Sequence, residues 1–139
     1  MPVEWTPDLS VGIEVIDEQH KEIFARAATL IEATRRGSGR EELVQLIRFL
    51  EQYVVEHFAM EEQYMLQYGY GAYSGHKAEH EGFKRDFADL KNRYDVYGAT
   101  SDLVMLAERR TAFWLKNHIG RVDRALGAFL KSHLAQDRQ

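Results

Sequence analysis

Five of the chain's six histidines fall on apolar stripes at helical spacing, and no other feature limits the possible folds as much. His20 recurs with Phe24, Ala27 and Ile31, and His57 and Glu61 recur with Leu43, Ile47, Leu50, Val54 and Tyr64. His76 and His80 share a phase with Phe83, Phe87, Leu90 and Tyr94, and His118 shares one with Val104, Ala107, Thr111 and Trp114. Apolar residues three or four apart mark the buried face of an amphipathic helix. Four such helices, each turning at least one imidazole inward, imply an all-α fold: an up-down-up-down four-helix bundle with histidines in its core.

Punctuation along the chain sets the expected boundaries. Asp17 reads as the N-cap of the first helix, which runs to about Arg36 and stops at Gly37-Ser38-Gly39. The second helix opens near Arg40 and ends at Gly69, Ser74 caps the third, and Ser101 caps the fourth, which Gly120 ends or kinks. A short C-terminal helix covers Val122 to Leu134. Residues 1–16 hold both prolines and no helical period, so they read as an extended N-terminal arm packed across the helices. The expected organisation is one domain over residues 1–139, with the arm at 1–16 and the bundle at 17–134, since 139 residues at 45% hydrophobic suit a single core.

Composition removes several function classes. The chain has no cysteine, which excludes disulfides, thiolate metal sites and cysteine nucleophiles. Eighteen basic and 22 acidic residues are mixed without a basic stripe, so no nucleic-acid partner is expected. The N-terminus lacks a basic and apolar leader, and no window approaches a membrane-spanning run, so a cytoplasmic protein without membrane contact is expected.

Five imidazoles in an apolar interior cannot all find partners unless something shares their lone pairs, and a cation does this. His20, His57, His76, His80 and His118, with Glu61 and Asp123, make seven donors, too many for one ion, so two metals are implied. Zinc is satisfied by four ligands, and calcium or magnesium favours oxygen. Imidazole-rich sites with carboxylates suit iron, with manganese or copper as lesser alternatives. The spacing of His76 and His80 also occurs in zinc proteases, but Lys77 stands where their catalytic Glu would be, which removes the general base. His133, out of phase with Leu130 and Leu134, reads as a surface residue.

Taken together, these motifs resemble the hemerythrin family, and within it the single-domain bacterial hemerythrins. The likeness rests on the Trp-containing arm, Asp-x-x-His at 17–20, His-Phe-x-x-Glu-Glu at 57–62, His-Lys-x-x-His at 76–80 and Trp-Leu-x-x-His-Ile-x-x-x-Asp at 114–123. One departure is Tyr68-Gly69, where Tyr-Pro is expected. The resemblance implies a non-haem di-iron centre with an oxo or hydroxo bridge, cycling between Fe2+ and Fe3+. His76, His80 and His118 would bind one iron, His20 and His57 the other, and Glu61 and Asp123 would bridge them.

With three bridges, three imidazoles complete an octahedron, whereas two leave a position open on the His20/His57 iron, where dioxygen would bind. Ile23, Phe24, Trp114, Leu115 and Ile119 are the candidate walls of a dry oxygen pocket. The expected function is reversible dioxygen binding for storage, transport or delivery by a monomer that is not an enzyme, with a protein partner for delivery left open. Five neutral imidazoles against two carboxylates favour reversible binding over the oxidation that carboxylate-rich di-iron sites perform. Two alternatives are oxygen or redox sensing through a separate partner, and a di-iron enzyme acting on peroxide or nitric oxide.

Overall fold

In a computed structural model describing residues 4–137, the chain is an all-α bundle with no strand among the described residues. Residues 1–3 of the expected arm lie outside the described residues. Its helices are α1 (Glu14–Arg35), α2 (Gly39–Tyr68), α3 (Tyr73–Tyr97), α4 (Ser101–Phe113) and α5 (Arg124–Asp137), with a π-helical segment at Trp114–Asp123. Short connections at 36–38, 69–72 and 98–100 turn each helix back beside its predecessor. The ring closes through contacts of α1 with α2 and α4, of α2 with α3 and α4, and of α3 with α4.

Helix ends follow backbone chemistry more than the expected side-chain caps. Asp17 lies inside the first turn of α1, whose N-cap is Ile13. Its carboxylate instead accepts from Ser10 Oγ at 2.5 Å and from the Val11 amide at 2.8 Å, tying the arm to the helix. The third helix starts at Tyr73 after Ala72, without a cap from Ser74. Thr100, not Ser101, caps α4 by accepting from the Leu103 amide at 3.1 Å. Gly69 ends α2 at φ +69°, and the following Tyr70 amide reaches back to the Met65 carbonyl at 2.9 Å, the bond of a left-handed helix stop.

The arm is shorter than expected, ending where α1 begins at Glu14, and it contains a 3₁₀ turn at Pro7–Leu9. Val11, Ile13 and Ile16 bury against Met65, Leu126 and Leu130, forming one apolar cluster. A larger cluster, including Ile23, Leu50, Phe58, Phe83, Phe87 and Ile119, fills the other part of the bundle. The buried histidines and carboxylates lie between these two clusters: His20 follows Ile16, Glu61 precedes Met65, and Asp123 precedes Leu126. Val55, next to this stripe in sequence, points outward and is 68% exposed.

Gly120 does not break the fourth helix. Helical backbone runs from Ser101 through Asp137, and the expected separate C-terminal helix is its continuation beyond the π segment. A Cβ at Gly120 would stand 3.3 Å from the Leu115 carbonyl oxygen, five residues back, so the glycine fits the widened turn. Within the described residues, no helix is long and apolar enough to cross a membrane.

Candidate metal centre

The π segment solves a spacing problem in the sequence. Residues five apart in an α-helix point about 140° from each other, so His118 and Asp123 would not face one site. A π turn bonds residues five apart, which brings the two side chains over each other. His118 Nε2 then lies 3.2 Å from Asp123 Oδ1. The other donors need no such device: His57 and Glu61 on α2, and His76 and His80 on α3, are one α-helical turn apart.

All seven expected donors converge, and each is at most 3% exposed. Glu61 directs Oε2 toward His20 Nε2 at 3.0 Å and His57 Nε2 at 2.9 Å. Its Oε1 faces His76 Nε2 at 3.2 Å and His80 Nε2 at 3.1 Å. Asp123 divides in the same way, with Oδ2 at 3.2 Å from His20 Nε2 and Oδ1 at 2.9 Å from His76 Nε2. Two groups of donor atoms compact enough for a metal ion result, one with His76, His80 and His118, the other with His20 and His57. Both groups contain Glu61 and Asp123.

The outer ring nitrogens show which lone pairs face inward. Nδ1 of His57 is 2.6 Å from Gln19 Oε1, Nδ1 of His80 is 2.9 Å from Glu62 Oε2, and Nδ1 of His118 is 3.0 Å from Glu79 Oε1. These oxygens accept, so each Nδ1 carries the proton and each Nε2 of the neutral ring presents a lone pair to a carboxylate. Lone pair against lone pair at 2.9–3.2 Å is repulsive unless a cation stands between them. His118 Nε2 and both Asp123 oxygens also lack any hydrogen-bond partner, as ligands reserved for a metal would. The donor set therefore fits a pair of cations.

Without a cation, the same demand for positive charge falls on protons. Burial opposes protonation of His20, yet the Asp123 and Glu61 carboxylates beside it outweigh that and raise the imidazole to about 10. The same balance raises His76 to about 9. At His57 burial wins and its pKa falls. Burial opposes ionisation of Glu61, but the raised imidazoles of His20 and His76 beside it hold the carboxyl well below its usual range. Burial and the Glu61 charge oppose ionisation of Asp123, yet His118 and His20 hold it low as well.

Aromatic rings fix the imidazole planes. Trp114 stacks on His118 with centroids 3.7 Å apart, Phe58 on His80 at 4.1 Å, and Tyr53 on His57 at 4.5 Å. Ile23, Phe24, Trp114, Leu115 and Ile119 are all buried in the larger apolar cluster. Tyr53 is an unexpected neighbour, because burial places its phenol in the core with the hydroxyl unpartnered. Burial pushes that phenol's pKa up, and the Glu61 and Asp123 charges add to the effect. The Trp114 indole acts against this, but neither group makes a hydrogen bond.

Sequence reasoning assigned no role to Gln19, Glu62 and Glu79. Each adjoins a donor residue, His20, Glu61 or His80, and serves an imidazole on another helix. That adjacency was the available signal. His133, expected at the surface, is half-buried, with its ring 4.0 Å from Phe129 and Nδ1 donating to the Phe129 carbonyl.

A helical bundle whose core holds two imidazole groups sharing two carboxylates defines a dinuclear metal-binding protein. The family model for the hemerythrin HHE cation binding domain matches residues 11–130. The bacteriohemerythrin of Stenotrophomonas maltophilia is 34% identical, over 95% of this chain and 84% of its own. That of Methylococcus capsulatus is 32% identical over 92% and 96%, and that of Pseudomonas aeruginosa 36% over 86% and 75%. The chain belongs to the hemerythrin family. The family's cofactor is a pair of iron ions, and the buried cluster suits it.

Proposed function

We propose that the chain binds dioxygen reversibly at a non-haem di-iron centre, as an oxygen storage, transport or delivery protein and not as an enzyme. In this reading His76, His80 and His118 hold one iron, His20 and His57 hold the other, and Glu61 and Asp123 bridge them. The observation that carries it is the division of both carboxylates, one oxygen toward each imidazole group. When bound, the iron pair supplies two electrons that dioxygen takes up on binding and returns on release.

The protein's own residues make that exchange reversible. With two imidazoles against three, the His20/His57 side would hold its iron with one donor fewer, leaving room for dioxygen there. Glu62 and Glu79, together with Gln19, hold three ring tautomers with Nε2 inward. Ile23, Phe24, Trp114, Leu115 and Ile119 form apolar walls that keep water and its protons from the site.

Elemental analysis tests the metal assignment, with about two irons per chain expected. Anaerobic reduction followed by air should give a visible charge-transfer band that disappears when oxygen is removed. A single metal, zinc, or an irreversible spectral change overturns the proposal.

A further inference from the structure

Tyr53 occupies two environments at once. On one side its ring stacks on His57 at an interplanar angle of 14° and meets Phe58 edge-on at 5.5 Å. On the other it lines a surface cavity of about 230 Å³ between α1 and α2, with Gln19, Glu22, Phe49, Gln52, Glu56 and His57. The ring is 5% exposed, so it closes the floor of that cavity. A second cavity, of about 250 Å³ between α3 and the fourth helix, reaches Trp114 and His118 instead, on the side of the three-imidazole group. Only the first of these two includes a member of the two-imidazole group among its lining residues.

The hydroxyl has no partner in this inward position, although buried hydroxyls nearly always have one. Swinging about χ1 into the cavity would bring it to water and to the polar side chains of Gln19, Gln52 and Glu56. The inward position keeps the stacking and burial of the ring; the outward one satisfies the hydroxyl. These opposed preferences are the condition for a two-state side chain.

We propose that Tyr53 is the gate through which small uncharged molecules, dioxygen first among them, pass from the α1–α2 cavity to the His20/His57 side of the centre. This rests on the oxygen-binding function proposed above. The rim favours a neutral passenger. Glu56 and Glu22 supply carboxylates, and of the cavity's lining residues none is Lys or Arg, so small anions are repelled. Arg26 pairs with Glu22 at 3.8 Å from outside the cavity lining.

Stopped-flow mixing of the reduced, iron-loaded protein with dioxygen tests the gate through two substitutions. Tyr53→Ala should raise the association rate about tenfold, and the dissociation rate with it. Tyr53→Phe keeps the ring but removes its reason to swing outward, so both rates should fall roughly threefold. A Tyr53→Phe association rate at or above native, or rates insensitive to both changes, overturns the proposal. A change confined to dissociation also overturns it, and makes Tyr53 a hydrogen-bond donor to the bound molecule. Separately, NMR relaxation dispersion on metal-free protein with ¹³C-labelled tyrosine should detect exchange at Tyr53, while ¹³C-labelled phenylalanine in Tyr53→Phe should show none at that ring; a single Tyr53 conformer overturns the gate. The association rate and the NMR signal are both read even where oxygen uptake proves irreversible, so the gate and the proposed function can fail independently.

Discussion

Replacing Glu62 by Gln isolates how much the protein surrounding the donors contributes to holding metal. Glu62 Oε2 accepts from His80 Nδ1 at 2.9 Å, and the Glu62 side chain is 16% exposed. Glu62→Gln keeps an oxygen acceptor of the same shape but removes its charge. A hydrogen bond to a charged partner contributes about 1.5–3 kcal/mol and a neutral one about 0.5–1.5, so the change should cost about 1.2 kcal/mol, or roughly eightfold in metal affinity. Glu79 does the same for His118 but is 41% exposed, so solvent screening should limit Glu79→Gln to about two- or threefold. Nature has already made the neutral version at His57, whose acceptor is Gln19. Anaerobic competition for ferrous iron against a chromophoric chelator measures both variants. Equal affinities for Glu62→Gln and native protein, or a larger loss for Glu79→Gln, would refute the reasoning.

Other expectations follow from the same geometry. In metal-free protein His20 and His76 are raised from 6.5 to about 10 and about 9, so the stability they confer is complete below pH 6.5 and is lost as pH rises through 9 to 10. Thermal melts in chelator should therefore decline from pH 6.5 to 10, a window above the one in which the lowered His57 costs stability, below pH 6.5, while iron-loaded protein should not; flat metal-free melts contradict this. Leu115→Ala opens the buried wall to water and should speed oxidation of the oxygenated protein, followed by decay of its visible band, and an unchanged rate removes Leu115 from the pocket. A Cβ at Gly127 would lie 2.9 Å from the Ser10 carbonyl oxygen and from Val11 Cα. Gly127→Ala should thus push the arm off α5 and cost about 1–3 kcal/mol in denaturant unfolding.

The bundle was legible because burial leaves a period. His76, His80, Phe83, Phe87 and Leu90 read as one face and are one face, since each is held by packing that the repeat encodes directly. The five inward histidines and Glu61 stood out for the same reason, each lying in phase with apolar neighbours, whereas Asp123 did not. Caps were less so: Ser101 and Thr100 are equally good capping residues, and backbone angles, not residue type, decide between them. The π segment was hidden because widening a helix has no propensity signature. Its trace was the five-residue step from His118 to Asp123, which makes little sense on an α-helix. Gln19, Glu62 and Glu79 showed no role because a polar residue serving an imidazole from the flank of a helix looks in sequence like an ordinary solvated one. Tyr53 carries no motif in the sequence, and only the unpartnered hydroxyl distinguishes it.

The central claim is that two imidazole groups sharing Glu61 and Asp123 hold an iron pair with one position open to dioxygen. Gas uptake by the reduced, iron-loaded protein, followed by degassing, tests it most directly. One dioxygen bound for every two irons, recovered as dioxygen on degassing over repeated cycles, is the expected result. Dioxygen that is consumed and not returned, or uptake in proportion to single irons, would contradict it.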